Sequence, residues 1–256
     1  MKYRIIGTTM QALAIDLDAG EQVYSQTNTM AWMSPSITMA TNTGGGLLAG
    51  LKRSFGGGGL FVTDFSTASG GHVAFSPRFP GTIVARRLNA GEALICRKET
   101  FLCAEKSVSF EITWQKKLGA GFFGGEGFIL QKITGPGTVW LDLSGEVVER
   151  DLTSGEQLLV HAGHVGVMEA SVGFDVQRVR GFRNVLFGGE GLFLASLTGP
   201  GRILLQTMPI TNLAEEIARF LPKGTGGSTV TAAGTATILG GIVGGLLTGG
   251  KKTNDS

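Results

Sequence analysis

The sequence predicts an all-β protein of three tandem β-repeats of about 65 residues in pseudo-threefold packing, followed by one short helix and a glycine-rich tail. Three observations predict it. A long motif returns at a fixed offset, strand-length runs alternate apolar with polar residues, and glycine–proline turns separate those runs.

The motif is Phe123-Gly-Gly-Glu-Gly127, continued by Phe128 to Ile133 and Thr134-Gly-Pro-Gly137. It recurs 64 residues later as Phe187-Gly-Gly-Glu-Gly191, Leu192 to Leu197 and Thr198-Gly-Pro-Gly201. A looser copy opens with Phe55-Gly-Gly-Gly-Gly59. A second marker keeps the same frame: Leu17-Asp-Ala-Gly20-Glu21, Leu88-Asn-Ala-Gly91-Glu92 and Leu152-Thr-Ser-Gly155-Glu156 stand 71 and then 64 residues apart. The units therefore span about 12–80, 84–145 and 148–210, within a domain of residues 1–222.

Within each unit the elements read as strands. Val108 to Trp114 alternates as a half-buried strand does. Phe128 to Ile133, Val139 to Leu143, Leu158 to Val160, Val172 to Val176, Leu192 to Leu197 and Ile203 to Leu205 are short runs rich in branched or aromatic side chains. In Thr-Gly-Pro-Gly the proline presets φ near −65° and the glycines accept positive φ. Inner strands of the three units are expected to share one core. After them Asn212 with Glu215 reads as a capping box, and Leu213, Ile217, Phe220 and Leu221 form one stripe that Pro222 ends. The expected helix is 212–221, covering a sheet edge or packing on a neighbouring subunit.

Residues 223–256 form an apolar, glycine-rich tail. Gly240, Gly241, Gly244, Gly245 and Gly249 are spaced as in close-packed helix pairs. Three states fit this composition: a flexible tail, a helix packed in an oligomer, or a weak membrane span.

Composition limits the chemistry. Forty-two glycines in 256 residues is more than twice the usual share of about 7%. A net charge of +2 argues against a dedicated nucleic-acid binder. Three histidines and two cysteines leave little material for metal or nucleophile chemistry. No secretory signal opens the sequence, so Cys96 and Cys103 are expected as reduced, buried thiols in a cytoplasmic protein.

Candidate sites follow from what remains. His161, His164 and Glu169 resemble the first cupin motif and form the one candidate metal set. Their spacing departs from His-x-His, because i and i+3 on a strand point to opposite faces unless Gly163 bulges. The repeat also puts Arg97 and Thr100 at the two histidine positions. The Phe-Gly-Gly loops lead into strands and lack Gly-Lys-Ser/Thr, so they read as tight turns and not as phosphate cradles. No nucleophile elbow is present, and neither a catalytic residue nor a cofactor is expected.

Ahead of or within each glycine loop stand basic and aromatic residues: Lys52, Arg53 and Phe55; Lys116, Lys117 and Phe122; Arg180, Phe182 and Arg183. Gathered on one end, they would form a ring suited to an anionic membrane surface, or to RNA as an alternative. The plain alternative is buried phenylalanines with a solvated charged rim.

Leu51-Lys52-Arg53 before Phe55-Gly-Gly-Gly-Gly59, with the two Phe-Gly-Gly-Glu-Gly…Thr-Gly-Pro-Gly blocks, resembles the Altered Inheritance of Mitochondria family, member twenty-four, and its bacterial relatives. The resemblance covers about residues 1–222. It implies a fold similar to the tryptophan RNA-binding attenuator protein, with double-stranded β-helix-like units in a homotrimer or larger assembly. Mitochondrial members are associated with the inner membrane, which implies a scaffold peripheral to the inner face of the membrane. The family supplies no catalytic residues, and tryptophan or RNA binding does not transfer on likeness of fold.

Overall fold

The computed structural model describes residues 1–41, 62–116, 128–178 and 193–220. A leading strand, β1 (Lys2–Ile6), precedes three sets of six. The first set is β2 (Ala12–Leu17), β3 (Gln22–Gln26), β4 (Met30–Met33), β5 (Ile37–Thr41), β6 (Val62–Thr67) and β7 (Gly71–Phe75). The second is β8 (Gly81–Leu88), β9 (Ala93–Arg97), β10 (Phe101–Glu105), β11 (Ser109–Lys116), β12 (Phe128–Thr134) and β13 (Gly137–Ser144). The third is β14 (Val147–Leu152), β15 (Gln157–His161), β16 (Val165–Glu169), β17 (Gly173–Arg178), β18 (Phe193–Thr198) and β19 (Gly201–Gln206). The described residues are thus all-β apart from one short helix and two single 3₁₀ turns, Lys98–Thr100 and Ala162–His164.

Every set uses the same antiparallel pairings. In the second set β8 and β10 flank β13, while β9 and β11 flank β12. β2, β4 and β7 repeat the first arrangement and β3, β5 and β6 the second; β14 to β19 do likewise. The register slips at the same place in each set, between Met30 and Trp32, Phe101 and Cys103, and Val165 and Val167. Each set is therefore split between two sheets. The sheets run β1-β2-β7-β4, β5-β6-β3-β10-β13-β8, β11-β12-β9-β16-β19-β14 and β15-β18-β17.

These four sheets stack as layers, and three cores fill the spaces between them. Leu13, Ile15, Val73 and Phe75 of the first layer meet Phe65, Leu102 and Trp140 of the second. Tyr24, Phe101, Val139 and Leu141 of the second meet Cys96, Ile133 and Leu204 of the third. Leu130, Met168 and Ile203 of the third meet Val160, Ala195 and Leu197 of the fourth. The single core expected from pseudo-threefold packing is therefore replaced by three cores. The two middle layers bury both faces, which is why β10 and β13 are nearly continuous apolar runs. Fully burying such side chains is worth about 1.5–3 kcal/mol each.

Both turn signals in the sequence have a physical basis. Gly20, Gly91 and Gly155 adopt φ of +84°, +81° and +77°. Beside them Glu21, Glu92 and Glu156 accept the backbone N–H of Asp18, Asn89 and Thr153 at 2.8, 2.9 and 2.9 Å. In Thr-Gly-Pro-Gly only the second glycine has positive φ, +135° at Gly137 and +142° at Gly201. The first is needed for close approach: a Cβ on Gly135 or Gly199 would collide with the carbonyl oxygen of Asn89 or Thr153.

Helix α1 (Ile210–Phe220) starts two residues before the sequence signal. The Asn212 and Leu213 amides donate to Pro209 O at 2.9 and 3.3 Å, which puts Asn212 inside the first turn and not at the cap. Ile217 and Phe220 of its apolar stripe are exposed.

Candidate functional site

The ends of β3, β9 and β15 each run into a short turn, and these turns carry corresponding residues. Thr29 donates through Oγ1 to Gln26 O at 2.7 Å, and Thr100 through Oγ1 to Arg97 O at 2.8 Å. In the third set the same two positions are His161 and His164, and the Nδ1 of His164 is 2.8 Å from Gln206 O. The 3₁₀ turn between the two histidines does what a simple bulge was expected to do and brings the rings to a 5.8 Å edge-to-face contact.

Glu169 does not join them. It sits at the far end of β16, about 16 Å along an extended strand from His164. Its Oε2 accepts the backbone N–H of Arg202 at 3.0 Å. Among the described residues no three His, Cys, Asp or Glu side chains group as metal ligands. Burial holds the His161 imidazole below its ordinary range, helped by the neighbouring His164 and by Arg97.

Arg97 is a buried polar link between the second and third repeats. It is 4% exposed, and its Nη1 donates to Gly163 O at 3.1 Å. Its Nη2 lies 3.3 Å from Glu99, and the guanidinium stands over the Phe128 ring at 5.3 Å. Gln206 supports the same turn, donating from Nε2 to Gly163 O at 2.9 Å and accepting from the Ser144 amide at 3.1 Å. Arg97 and Gln206 help line a cavity of about 130 Å³ with Gln26, Thr29, Arg78 and Asp142. The Asp142 carboxyl is raised to about 7 by burial, partly opposed by Arg78, and its Oδ1 has no hydrogen-bond partner among the described residues. Arg78 and Arg97 bring positive charge to this wall, and Asp142 brings a carboxyl whose protonated form burial favours.

Sequence reasoning passed over Arg97, Asp142 and Gln206 as site residues. A signal existed: Asp142 is the one acidic residue in the run Val139-Trp-Leu-Asp-Leu143.

Most of the expected surface residues lie outside the described residues: Lys52, Arg53, Phe55, Lys117, Phe122, Arg180, Phe182 and Arg183. Lys116 ends β11, and its side chain is also outside them. The tail glycines Gly240, Gly241, Gly244, Gly245 and Gly249 are outside as well. Among the described residues no helix is long and apolar enough to cross a membrane.

Layered half-sheets built from a repeated six-strand set define a class of β-repeat proteins. Within it the chain belongs to the family described as Mitochondrial biogenesis AIM24, whose model matches residues 3–208. It is 28% identical over 216 residues to an uncharacterized protein of Streptococcus pyogenes serotype M6, covering 81% of this chain and 86% of that one. The crystal structure of the Streptococcus pyogenes protein SPYM3_0169 has the same fold, with a TM-score of 0.70 at 25% identity over 86% of this chain and 99% of that chain.

Proposed function

We propose that the protein is a non-enzymatic, self-associating scaffold of the cytoplasm that docks peripherally on an anionic membrane surface. The observation that supports docking is the hairpin repeated on successive layers: β5–β6, β11–β12 and β17–β18 pair alike. The segments connecting these strands in sequence carry Lys52, Arg53 and Phe55, then Lys117 and Phe122, then Arg180, Phe182 and Arg183. The strand ends that bound the three segments are equivalent: Thr41 pairs with Thr63, Lys116 with Phe128 and Arg178 with Phe193. Each basic residue near an anionic bilayer contributes about 1 kcal/mol. RNA binding draws on the same segments, and the net charge of +2 gives it no support.

The test is co-sedimentation with phosphatidylserine-containing vesicles. Wild type should pellet at low salt, and less so as salt rises. A variant with Lys52, Arg53, Lys116 and Lys117 changed to Glu should lose about a thousandfold in affinity, following the per-residue value above. Equal pelleting of both, or of neither, removes membrane docking from the proposal.

A further inference from the structure

The repeats are joined at two junctions, and both use one register. At the first, Cys103, Ala104 and Glu105 of β10 face Ser25, Tyr24 and Val23 of β3. At the second, Val167, Met168 and Glu169 of β16 face Cys96, Ile95 and Leu94 of β9. The strand of the first repeat that corresponds to β10 and β16 is β4. The strand of the third repeat that corresponds to β3 and β9 is β15. Among the described residues each of these two strands ends a sheet, and the two are not paired with each other. Apart from the leading β1, the two outer layers are thus complementary three-stranded halves of the six-stranded sheet that each middle layer presents whole.

We infer that a second copy of this chain occupies the β15 edge with its own β4. This gives the proposed self-association a surface and rests on that reading. Carrying the junction register over sets Val160 opposite Trp32 of the second copy, Leu159 opposite its Met33, and Leu158 opposite its Ser34. The combined layer runs β17-β18-β15 and then β4-β7-β2-β1 of the second copy.

Side-chain exposure agrees with this pairing. Trp32 is 47% exposed, although its counterparts Cys103 and Val167 are buried. Leu159 is 60% exposed, although Tyr24 is buried and Ile95 packs against a core. Val148 is 49% exposed, although Leu13 is buried and Val84 packs against a core. In the other two repeats each of these positions is covered by a completed layer.

The edges themselves also differ. β1, β8 and β14 carry Lys2 and Arg4, Arg86 and Arg87, and Glu149, Arg150 and Asp151, the kind of charge that blocks strand addition. β4 reads Met-Ala-Trp-Met and β15 Gln-Leu-Leu-Val-His, with no Lys, Arg, Asp or Glu. Such edges accept another strand through main-chain hydrogen bonds. Because the contact joins two different edges it is heterologous, and copies add head to tail into a ring or filament.

The experiment measures mass in solution for the full chain and for the variants Trp32→Lys and Leu159→Lys. Both positions are exposed in the single chain, so each variant should keep the wild-type circular dichroism. Wild type should be oligomeric and each variant monomeric. An equimolar mixture should stop at twice the monomer mass, because one intact β4 and one intact β15 remain to form a single junction. As a second readout, chains carrying Met33→Cys and chains carrying Leu159→Cys should form a disulfide-linked dimer only when mixed, since facing antiparallel residues lie within disulfide reach. Oligomers unchanged in either Lys variant, with no mixed disulfide, would overturn the β4–β15 junction while leaving self-association by another surface. A monomeric wild type would overturn both.

Discussion

Changing Asp142 to Asn removes one titration while keeping the shape of the side chain. In the unfolded chain an aspartate titrates near pH 3.9; in the folded protein burial raises Asp142 to about 7. Between those values the native chain holds a proton that the unfolded chain has released, so stability falls as pH rises through this window. Below about pH 4 the penalty is absent, and above about pH 7 it is fully developed. A difference of about three pH units corresponds to about 4 kcal/mol. Asp142→Asn should therefore match wild type in urea unfolding at pH 4 and exceed it by up to about 4 kcal/mol at pH 8. Tryptophan fluorescence reports the transition, because Trp140 is fully buried beside this strand position. Other groups that titrate in the window affect both proteins equally and cancel in the difference. A stability difference that stays the same from pH 4 to pH 8 would refute the account of Asp142 as a carboxyl held protonated by its surroundings.

Two glycine substitutions separate backbone strain from steric collision. Gly155→Ala keeps positive φ in open space and should cost about 1 kcal/mol. Gly199→Ala drives a methyl into the Thr153 carbonyl and should cost about 3 kcal/mol. Equal losses in urea unfolding would show that the two turns are not constrained differently. The thiols offer a further check: burial pushes Cys96 up to about 12 and raises Cys103 well above its ordinary value. Neither should react with a thiol reagent at pH 8 in the native protein, and both should react in denaturant. Rapid labelling of either in the native state would contradict their burial.

The fold class was legible because its signals are local. The marker ending in Glu21, Glu92 and Glu156 is a turn whose glutamate bonds its own backbone, so sequence spacing and geometry coincide. Predicted strands such as Val139 to Leu143 differ from the observed β13 only at their ends. The stacking was not legible, because which face of β10 meets which core depends on partners far along the chain. The two faces of β10 lie in different cores, with Phe101 in one and Leu102 in the other. The histidine pair could be read, whereas the placing of Glu169 could not. That placing depends on how many residues β16 runs before its own turn, a length that motif spacing alone does not reveal. In the sequence Arg97 stands out only as the counterpart of a histidine, because its bond to Gly163 O crosses between repeats. Helix α1 began early because Pro209, and not the side chain of Asn212, supplies the first acceptor.

Sharing each middle layer between two repeats means that the unit of inheritance in this sequence is not the unit of cooperative folding. A cut near residue 80 would fall between genetic modules yet tear the second layer down its centre, separating β3 from β10. Fragments made at such module boundaries would carry raw, greasy seams, whereas a break drawn between layers has no single place in the chain. Duplication could therefore lengthen this architecture only if each added module found half of its sheet already waiting in its neighbour.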